Sequence, residues 1–253
     1  MIWRLALLCL LAAAPLRAEE KVVAGLSQAR VSITTDFEGS EILVFGAVKR
    51  SAPAPVEPPL HVIVTVAGPA LPVTVRKKER RFGIWVNSEA VEVDAAPSFY
   101  AISTTAPLGE ILSETEDLRH RISLNRAIRA VDIGPTKGGP APFTEAVIRI
   151  RREDGLYQIR ENTVALTEDT LFRTGIALPA NLTEGDYTTR IFLTRGREVI
   201  DAYETRISVH KVGLERWIFN LAHAHPLVYG LLSLSIAIAA GWGASTLFRM
   251  LRG

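Results

Sequence analysis

Residues Pro226–Phe248, PLVYGLLSLSIAIAAGWGASTLF, run for 23 positions without a charged side chain. At about 1.5 Å rise per residue they make a helix of roughly 34 Å, enough to cross a hydrocarbon core of about 30 Å with slight tilt. The stretch predicts a transmembrane helix and sets the place of everything before it. Arg249 and Arg252 follow in a short tail, and this positive flank predicts a cytoplasmic tail 249–253 with the preceding body on the opposite side. Within the span, Ser233, Ala237, Gly241 and Ser245 recur every four residues. That spacing lines one helix face with small side chains, the arrangement that lets another helix approach closely in lipid.

Just before the span lies 213–225, GLERWIFNLAHAH, with Leu214, Trp217, Ile218 and Leu221 spaced along one helical face. An amphipathic juxtamembrane helix lying on the bilayer surface is expected there, with Trp217, Phe219 and Tyr229 as interfacial anchors. At the other end of the chain, Arg4, the apolar run Leu5–Leu16 and the small residue Ala18 read as a signal peptide over 1–18, cleaved before Glu19. Export and a C-terminal anchor together predict a body in the periplasm of a bacterium, held at the inner membrane. The single cysteine, Cys9, lies inside the expected signal, so disulfides, thiolate metal sites and a cysteine nucleophile are excluded from the mature chain. Loss of Arg4 and Arg17 lowers the 29 Lys and Arg to 27, equal to the 27 Asp and Glu. A neutral body gives no electrostatic reason to expect nucleic acid.

Residues 19–104 read as the first β region. Val31 and Ile33 alternate with polar neighbours, and Glu41–Val48 is an apolar run rich in strand formers. After the Pro-rich loop 51–59, strands are expected over 61–66, 72–77, 82–86, 90–93 and 99–103, separated by Gly68-Pro69, a charged turn and Asn87-Ser88. Residues 105–155 read as helical: Leu108, Ile111, Leu112, Thr115, Leu118 and Ile122 fall on one stripe behind Thr105 and Pro107. The helix is expected to break near Gly134-Pro135 and to give way to a loop from Lys137. Residues 143–154 fit a helix ended by Gly155 or a hairpin at Asp154-Gly155, and the helix is favoured. Residues 156–212 return to strands. There Glu184-Gly185-Asp186-Tyr187 stands where a tyrosine corner would, its hydroxyl bonding upstream backbone at the edge of an immunoglobulin-like sandwich. The expected fold is mainly β: an immunoglobulin-like β-sandwich with a helical insertion, followed by one transmembrane helix.

In chain order, GSEILVFGAV, RKKERRFGIWVN, PSFYAIST, LFRTGIALPAN, EGDYTTRIFL and the YGLL and GW of the span resemble an alphaproteobacterial family of transmembrane proteins of about this length. The resemblance runs from about Gly25 to Phe248. It brings no assigned activity, catalytic residue or cofactor. It implies as a partner a multispan permease of the sulfite-exporter-like kind.

The residues themselves offer little chemistry. Of His61, His120, His210, His223 and His225, the last pair is close but lies at i, i+2, on different helix faces, unlike the i, i+4 pair of a helical zinc site. G-x-S-x-G, P-loop and dinucleotide fingerprints are absent, and Glu114, Glu116 and Asp117 read as a solvated helix face. The expectation is a protein that is not an enzyme, without catalytic residues, metal or cofactor. The strongest local charge is Arg76, Lys77, Lys78, Glu79, Arg80, Arg81, beside Phe82 and Trp85. These five cations are candidates for an anion or lipid contact.

Two functions follow. The first is a single-span accessory or scaffold subunit of a membrane complex or transporter, packing through its small-residue face against itself or a polytopic protein in the bilayer. The second is a periplasmic anion-binding module that delivers its ligand to a transporter through Arg76–Arg81.

Overall fold

The computed structural model describes residues 20–34, 36–53, 55, 57–129, 139, 141–212 and 214–251, with only the backbone of 214–217, 220 and 246–251. The expected signal peptide, the break near Gly134-Pro135, most of the loop from Lys137 and the Trp217 side chain lie outside the described residues. One compact unit holds the described residues up to Val31 together with Glu38–Val209. A second holds Ser32–Phe37 and the residues from His210 onward.

The first unit is mainly β. Its strands are β1 (Glu20–Leu26), β2 (Arg30–Ile33), β3 (Ser40–Arg50), β4 (Leu60–Ala67), β5 (Ala70–Arg81), β6 (Ile84–Pro97), β7 (Tyr100–Thr104), β8 (Tyr157–Arg160), β9 (Ala165–Thr167), β10 (Leu171–Leu178), β11 (Gly185–Arg195) and β12 (Glu198–Lys211), the ends of β2 and β12 passing into the second unit. They form a four-stranded sheet in the order β1-β3-β10-β9, a six-stranded sheet in the order β2-β12-β11-β4-β7-β8, and a separate ribbon of β5 and β6. Strands β7 and β8 run parallel, joined through the helical segment.

Strand patterning explains the layers. In β3, Ile42, Val44 and Val48 turn inward, while β10 buries Phe172, Thr174, Ile176 and Leu178 at the same period of two. The central strand β4 buries every residue from Val62 to Val66, an apolar run broken only by Thr65, whose hydroxyl donates to the Arg190 carbonyl. Gly46 is required by this packing. A Cβ there would lie 2.5 Å from the tip of the Phe172 ring and 2.6 Å from the Val23 carbonyl oxygen.

Two polar ties link the sheets. Glu20 on β1 receives Arg50 Nε from β3 at 2.6 Å and Arg195 Nη2 from β11 at 3.1 Å, and all three side chains are close to fully buried. Burial alone would raise the Glu20 pKa, but the hydrogen bonds and charges of Arg50 and Arg195 outweigh it and hold the carboxyl below its ordinary value. Asp201 Oδ2 on β12 accepts the Val22 amide at 2.6 Å.

The helical segment departs from the single long helix expected behind Pro107. It forms α1 (Leu108–Ile111), α2 (Glu114–His120), α3 (Leu124–Ala127) and α4 (Ala141–Glu153). Leu112 is extended, Ser113 then caps α2 by accepting the Glu116 amide, and Arg121 leaves α2 in a left-handed conformation at φ 51°. The Asp117 carboxylate takes the amides of Ile122 and Ser123 at 3.0 and 2.7 Å, so the turn between α2 and α3 is held by a side chain instead of a continuing helix. Leu118, expected on the apolar stripe, is exposed as a result. Of the alternatives for 143–154 the helix forms, and it starts at Ala141, inside the loop expected over 137–142, with Phe143 and Val147 inward.

Ile111, Leu112, Ile122, Leu124 and Val147 from these helices, Ile63, Tyr100, Ile102 and Phe192 from the six-stranded sheet, and Val93 and Ala96 from β6 make one buried cluster. The helices and the base of the ribbon therefore share one core. In the second unit, α5 (Leu214–Ala224) is followed by α6 (Pro226–Leu251), a 26-residue helix that includes the whole expected span.

Candidate functional site

The ribbon carries the charged run and gives it a shape the sequence reading did not. The expected turn among the cations and the break at Asn87-Ser88 are both displaced. Strand β5 continues through Arg81, β6 starts at Ile84, and the turn is Phe82-Gly83; Ser88 sits at an irregularity between Lys77 and Lys78, its hydroxyl on the Lys77 carbonyl at 3.2 Å. Phe82 and Gly83 have φ of 50° and 84°, which is the two-residue hairpin turn with both central residues left-handed. Such a turn favours Asn-Gly, and a left-handed Phe costs about 1–2 kcal/mol relative to its ordinary conformations. A charged stretch signals a turn only by solubility; the cross-strand register decides where it falls.

At the base, Val73 pairs with Val93 and Val75 with Val91; Val93 belongs to the core cluster, Val73 and Val75 pack on it, and Val91 is buried. At the tip the apolar residues meet only solvent. Phe82 is fully exposed (108%), and Ile84 and Trp85 are exposed at 65% and 68%. Arg76, Lys77, Lys78, Arg80 and Arg81 are all exposed along β5, the last two beside the tip. Register places Arg81 opposite Ile84 and Arg80 opposite Trp85. Glu79 lies 3.2 Å from Lys77 and 3.6 Å from Arg81, and the hydrogen bond from Lys77 leads the effects that hold its carboxyl below the ordinary value.

Closer to the base, a hollow of about 420 Å³ opens between the ribbon and α4, lined by Arg76, Lys77, Lys78 and Arg149 with Phe143 and Glu89. The structure thus separates the candidate cations into Arg80 and Arg81 at the tip and Arg76, Lys77 and Lys78 at the hollow, where α4 adds Arg149. Arg149 was not among the sequence candidates, since nothing in the chain order links 149 to 76.

A second surface lies on the outer face of the four-stranded sheet. Val23, Ala47 and Leu171 form one cross-strand row and Gly25, Phe45 and Arg173 the next, with Leu43 beyond. Val23, Leu43, Phe45 and Leu171 are exposed, and the Phe45 ring approaches within 3.2 Å of where a Gly25 Cβ would stand. The face is apolar and shallowly grooved, with a volume of about 670 Å³.

Of the carboxylates read as solvated, Glu114 is exposed, but Glu116 and Asp117 are not. Glu116 and Asp117 are buried, because α2 turns them under the chain: Glu116 meets Arg119 at 2.5 Å, His120 at 3.4 Å and the Val199 amide at 3.4 Å, and Asp117 caps the following turn. Both are committed to structure. Glu114 and Asp117 border a hollow of about 760 Å³, together with Glu145 and Arg126. Among the described residues no three His, Cys, Asp or Glu side chains converge as metal ligands. Tyr187 makes the expected upstream bond, donating to the Thr183 carbonyl at 2.8 Å.

In the second unit, Ser233, Ala237, Gly241 and Ser245 lie on α6 and are exposed, and a Cβ at Gly241 would meet nothing within 4 Å. Phe219 is exposed and stacks on His223 at 4.0 Å, and Tyr229 is also exposed. Pro226–Ser245 is long and apolar enough to cross a membrane, and none of its most apolar stretch is buried.

A family model described as "Putative transmembrane protein (Alph_Pro_TM)" matches residues 21–250. The chain belongs to this family. For this transmembrane family member, then, α6 is the candidate span and a membrane is its surrounding. No curated protein matches the chain. Among solved structures it is similar to the crystal structure of Spo0M, a sporulation control protein from Bacillus subtilis, at 12% identity and a TM-score of 0.27, over 81% of this chain and 54% of that one. The chain thus spans about half the length of that protein.

Proposed function

We propose that this protein is a non-enzymatic, single-span accessory subunit of a bacterial inner-membrane complex, with an immunoglobulin-like β-sandwich body in the periplasm and a short cytoplasmic tail. The observation that carries the reading is the outer face of the four-stranded sheet, where Val23, Leu43, Phe45 and Leu171 stay exposed together. A contiguous apolar face of this kind is characteristic of a surface that another protein covers. The small-residue face of α6 supports the same reading within lipid, and the partner we assign is a polytopic permease. The test is purification of the tagged full-length protein from its native membrane in mild detergent, with a photo-crosslinking residue in place of Phe45. A multispan protein is expected to co-purify, to crosslink from position 45, and to be lost with Gly241→Leu, a change that meets nothing in the chain itself. A wild-type protein that purifies alone, as a monomer without crosslinks, sinks the proposal.

A second reading is favoured by the hollow beside α4. Four cations, Arg76, Lys77, Lys78 and Arg149, face a single carboxylate, Glu89, over a floor that includes Phe143. That setting suits a small oxyanion delivered to the partner permease. Calorimetric titration of the full-length protein with phosphate, sulfate and sulfite tests it. Binding that disappears in Arg76→Gln/Arg149→Gln supports the delivery role, and the absence of any heat with wild type removes it.

A further inference from the structure

We propose that the Phe82-Gly83 tip is a membrane-surface probe, which inserts Phe82, Ile84 and Trp85 into the headgroup layer of an anionic bilayer while Arg80 and Arg81 engage lipid phosphates. It stands independently of the permease and the oxyanion readings.

Residue choice is the first argument. The tip spends a left-handed position on Phe, a residue the turn disfavours, and then leaves that ring wholly in solvent. Neither turn formation nor core packing calls for it, and departures from local rules of this kind concentrate where a protein works. Shape is the second. Directly opposed residues of a ribbon share a face and successive pairs alternate. Arg81 and Ile84 therefore occupy one face and Arg80 and Trp85 the other, with Lys78 and Asn87 on the latter side. Both faces carry an apolar group beside a cation, and the Phe82 ring closes the end. A hairpin that docks in a protein groove presents one apolar face; a tip that is apolar at its end and cationic on both sides matches a plane approached end-on. Aromatic rings and basic side chains are the pair that interfacial binding uses, the rings at the headgroup level and the cations against anionic lipid.

Mechanical support is the third argument. Val73, Val75, Val91 and Val93 clamp the base into the core, so the tip is presented on an ordered ribbon and little conformational freedom remains to be lost on contact. The same chain carries the candidate span α6, so a bilayer is always tethered to the body and even a weak contact is favoured by its high effective concentration.

The test uses the full-length protein in vesicles. Cys9 is the only native cysteine, so Ile84→Cys in a Cys9→Ser background gives one site for an environment-sensitive fluorophore. The vesicles are phosphatidylcholine with or without about one third phosphatidylglycerol, which reproduces the surface charge of an anionic leaflet, and they carry a spin-labelled quencher at headgroup depth. On anionic vesicles we expect emission to move to shorter wavelength and the quencher to act. Both signals should vanish in Arg80→Glu/Arg81→Glu and on raising salt to about 1 M, where the screening length falls to about 3 Å. Phe82→Asn should weaken the signal while leaving the melting temperature unchanged or higher, an outcome that a purely structural role for Phe82 does not produce. A fluorophore that stays in water on both vesicle types overturns the proposal. So does one that is shielded only in native membrane vesicles, since an acidic protein partner then covers the tip.

Discussion

The base and the tip of the β5–β6 ribbon differ in patterning and in fate: at the base valines alternate with polar residues and are core, whereas at the tip Ile84 and Trp85 are adjacent, fall on opposite faces and are surface. Val73, Val75, Val91 and Val93 at the base lie against the buried cluster beneath the six-stranded sheet, whereas Phe82, Ile84 and Trp85 at the tip touch nothing that covers them. Period-two patterning therefore marks the end of the ribbon that enters the core, and the tip, where it lapses, pairs in register without it. The surroundings differ as well: the base meets the buried cluster, and Arg80 and Arg81 flank the tip.

The largest expected effect breaks the base. Val93 is 0% exposed, so Val93→Asp buries an unpaired carboxylate and forfeits apolar burial, at a cost on the order of 4 kcal/mol or more. That is a large fraction of the roughly 5–15 kcal/mol that holds a domain. Trp85→Asp, eight residues nearer the turn, should cost less than about 1 kcal/mol. Urea unfolding of the two variants checks the contrast. Comparable losses at both positions would mean that the tip is packed after all.

Next in size is the polar tie between the sheets, which lies away from the ribbon. Glu20→Gln leaves Arg50 and Arg195 facing each other without their shared carboxylate, at an expected cost of about 3 kcal/mol. The pH dependence follows from the same group. Its folded pKa is depressed, so in the titration window the unfolded state binds more protons, and the stabilisation is fully present above the unfolded value of 4.5 and lost as pH falls through the folded one. The melting temperature of wild type should drop below pH 4.5 more steeply than that of Glu20→Gln. Parallel curves would show that the carboxylate is not what couples the sheets. Gly46→Val should cost about 1–3 kcal/mol by forcing Phe172 and the Val23 carbonyl aside, a loss readable in the same melts.

Much of this architecture was legible in the chain. The uncharged run of α6 announced itself by length, β3 and β4 by strand formers in short apolar runs, and the Tyr187 bond by its Gly-Asp-Tyr lead-in. What escaped has a common physical cause: competition between local signals that only tertiary contacts resolve. The stripe from Leu108 to Ile122 fits one helix until Ser113 and Asp117 turn their side chains to backbone amides, which cuts it into α1 and α2 and sets α3 apart. Glu116 looked solvated because its partner amide, Val199, is distant in sequence. At the candidate site the cations were visible as a run, but Phe82 read as the start of a strand. Nothing in a single sequence distinguishes an aromatic that enters a core from one held clear of it, and Arg149 joins the hollow only because α4 lies against the ribbon.

The smallest effect is the most discriminating. Phe82→Asn places at φ 50° a residue that visits the left-handed region readily, so the ribbon should gain up to about 1 kcal/mol and melt slightly later. Val93 has no such alternative, since every polar replacement at the base subtracts. If Phe82→Asn is neutral or stabilising, the native Phe is held against the preference of its own turn, and its retention belongs to what the tip touches and not to how the ribbon folds. If the variant instead loses stability, the ring is packing on something within the chain, and base and tip are then two parts of one core.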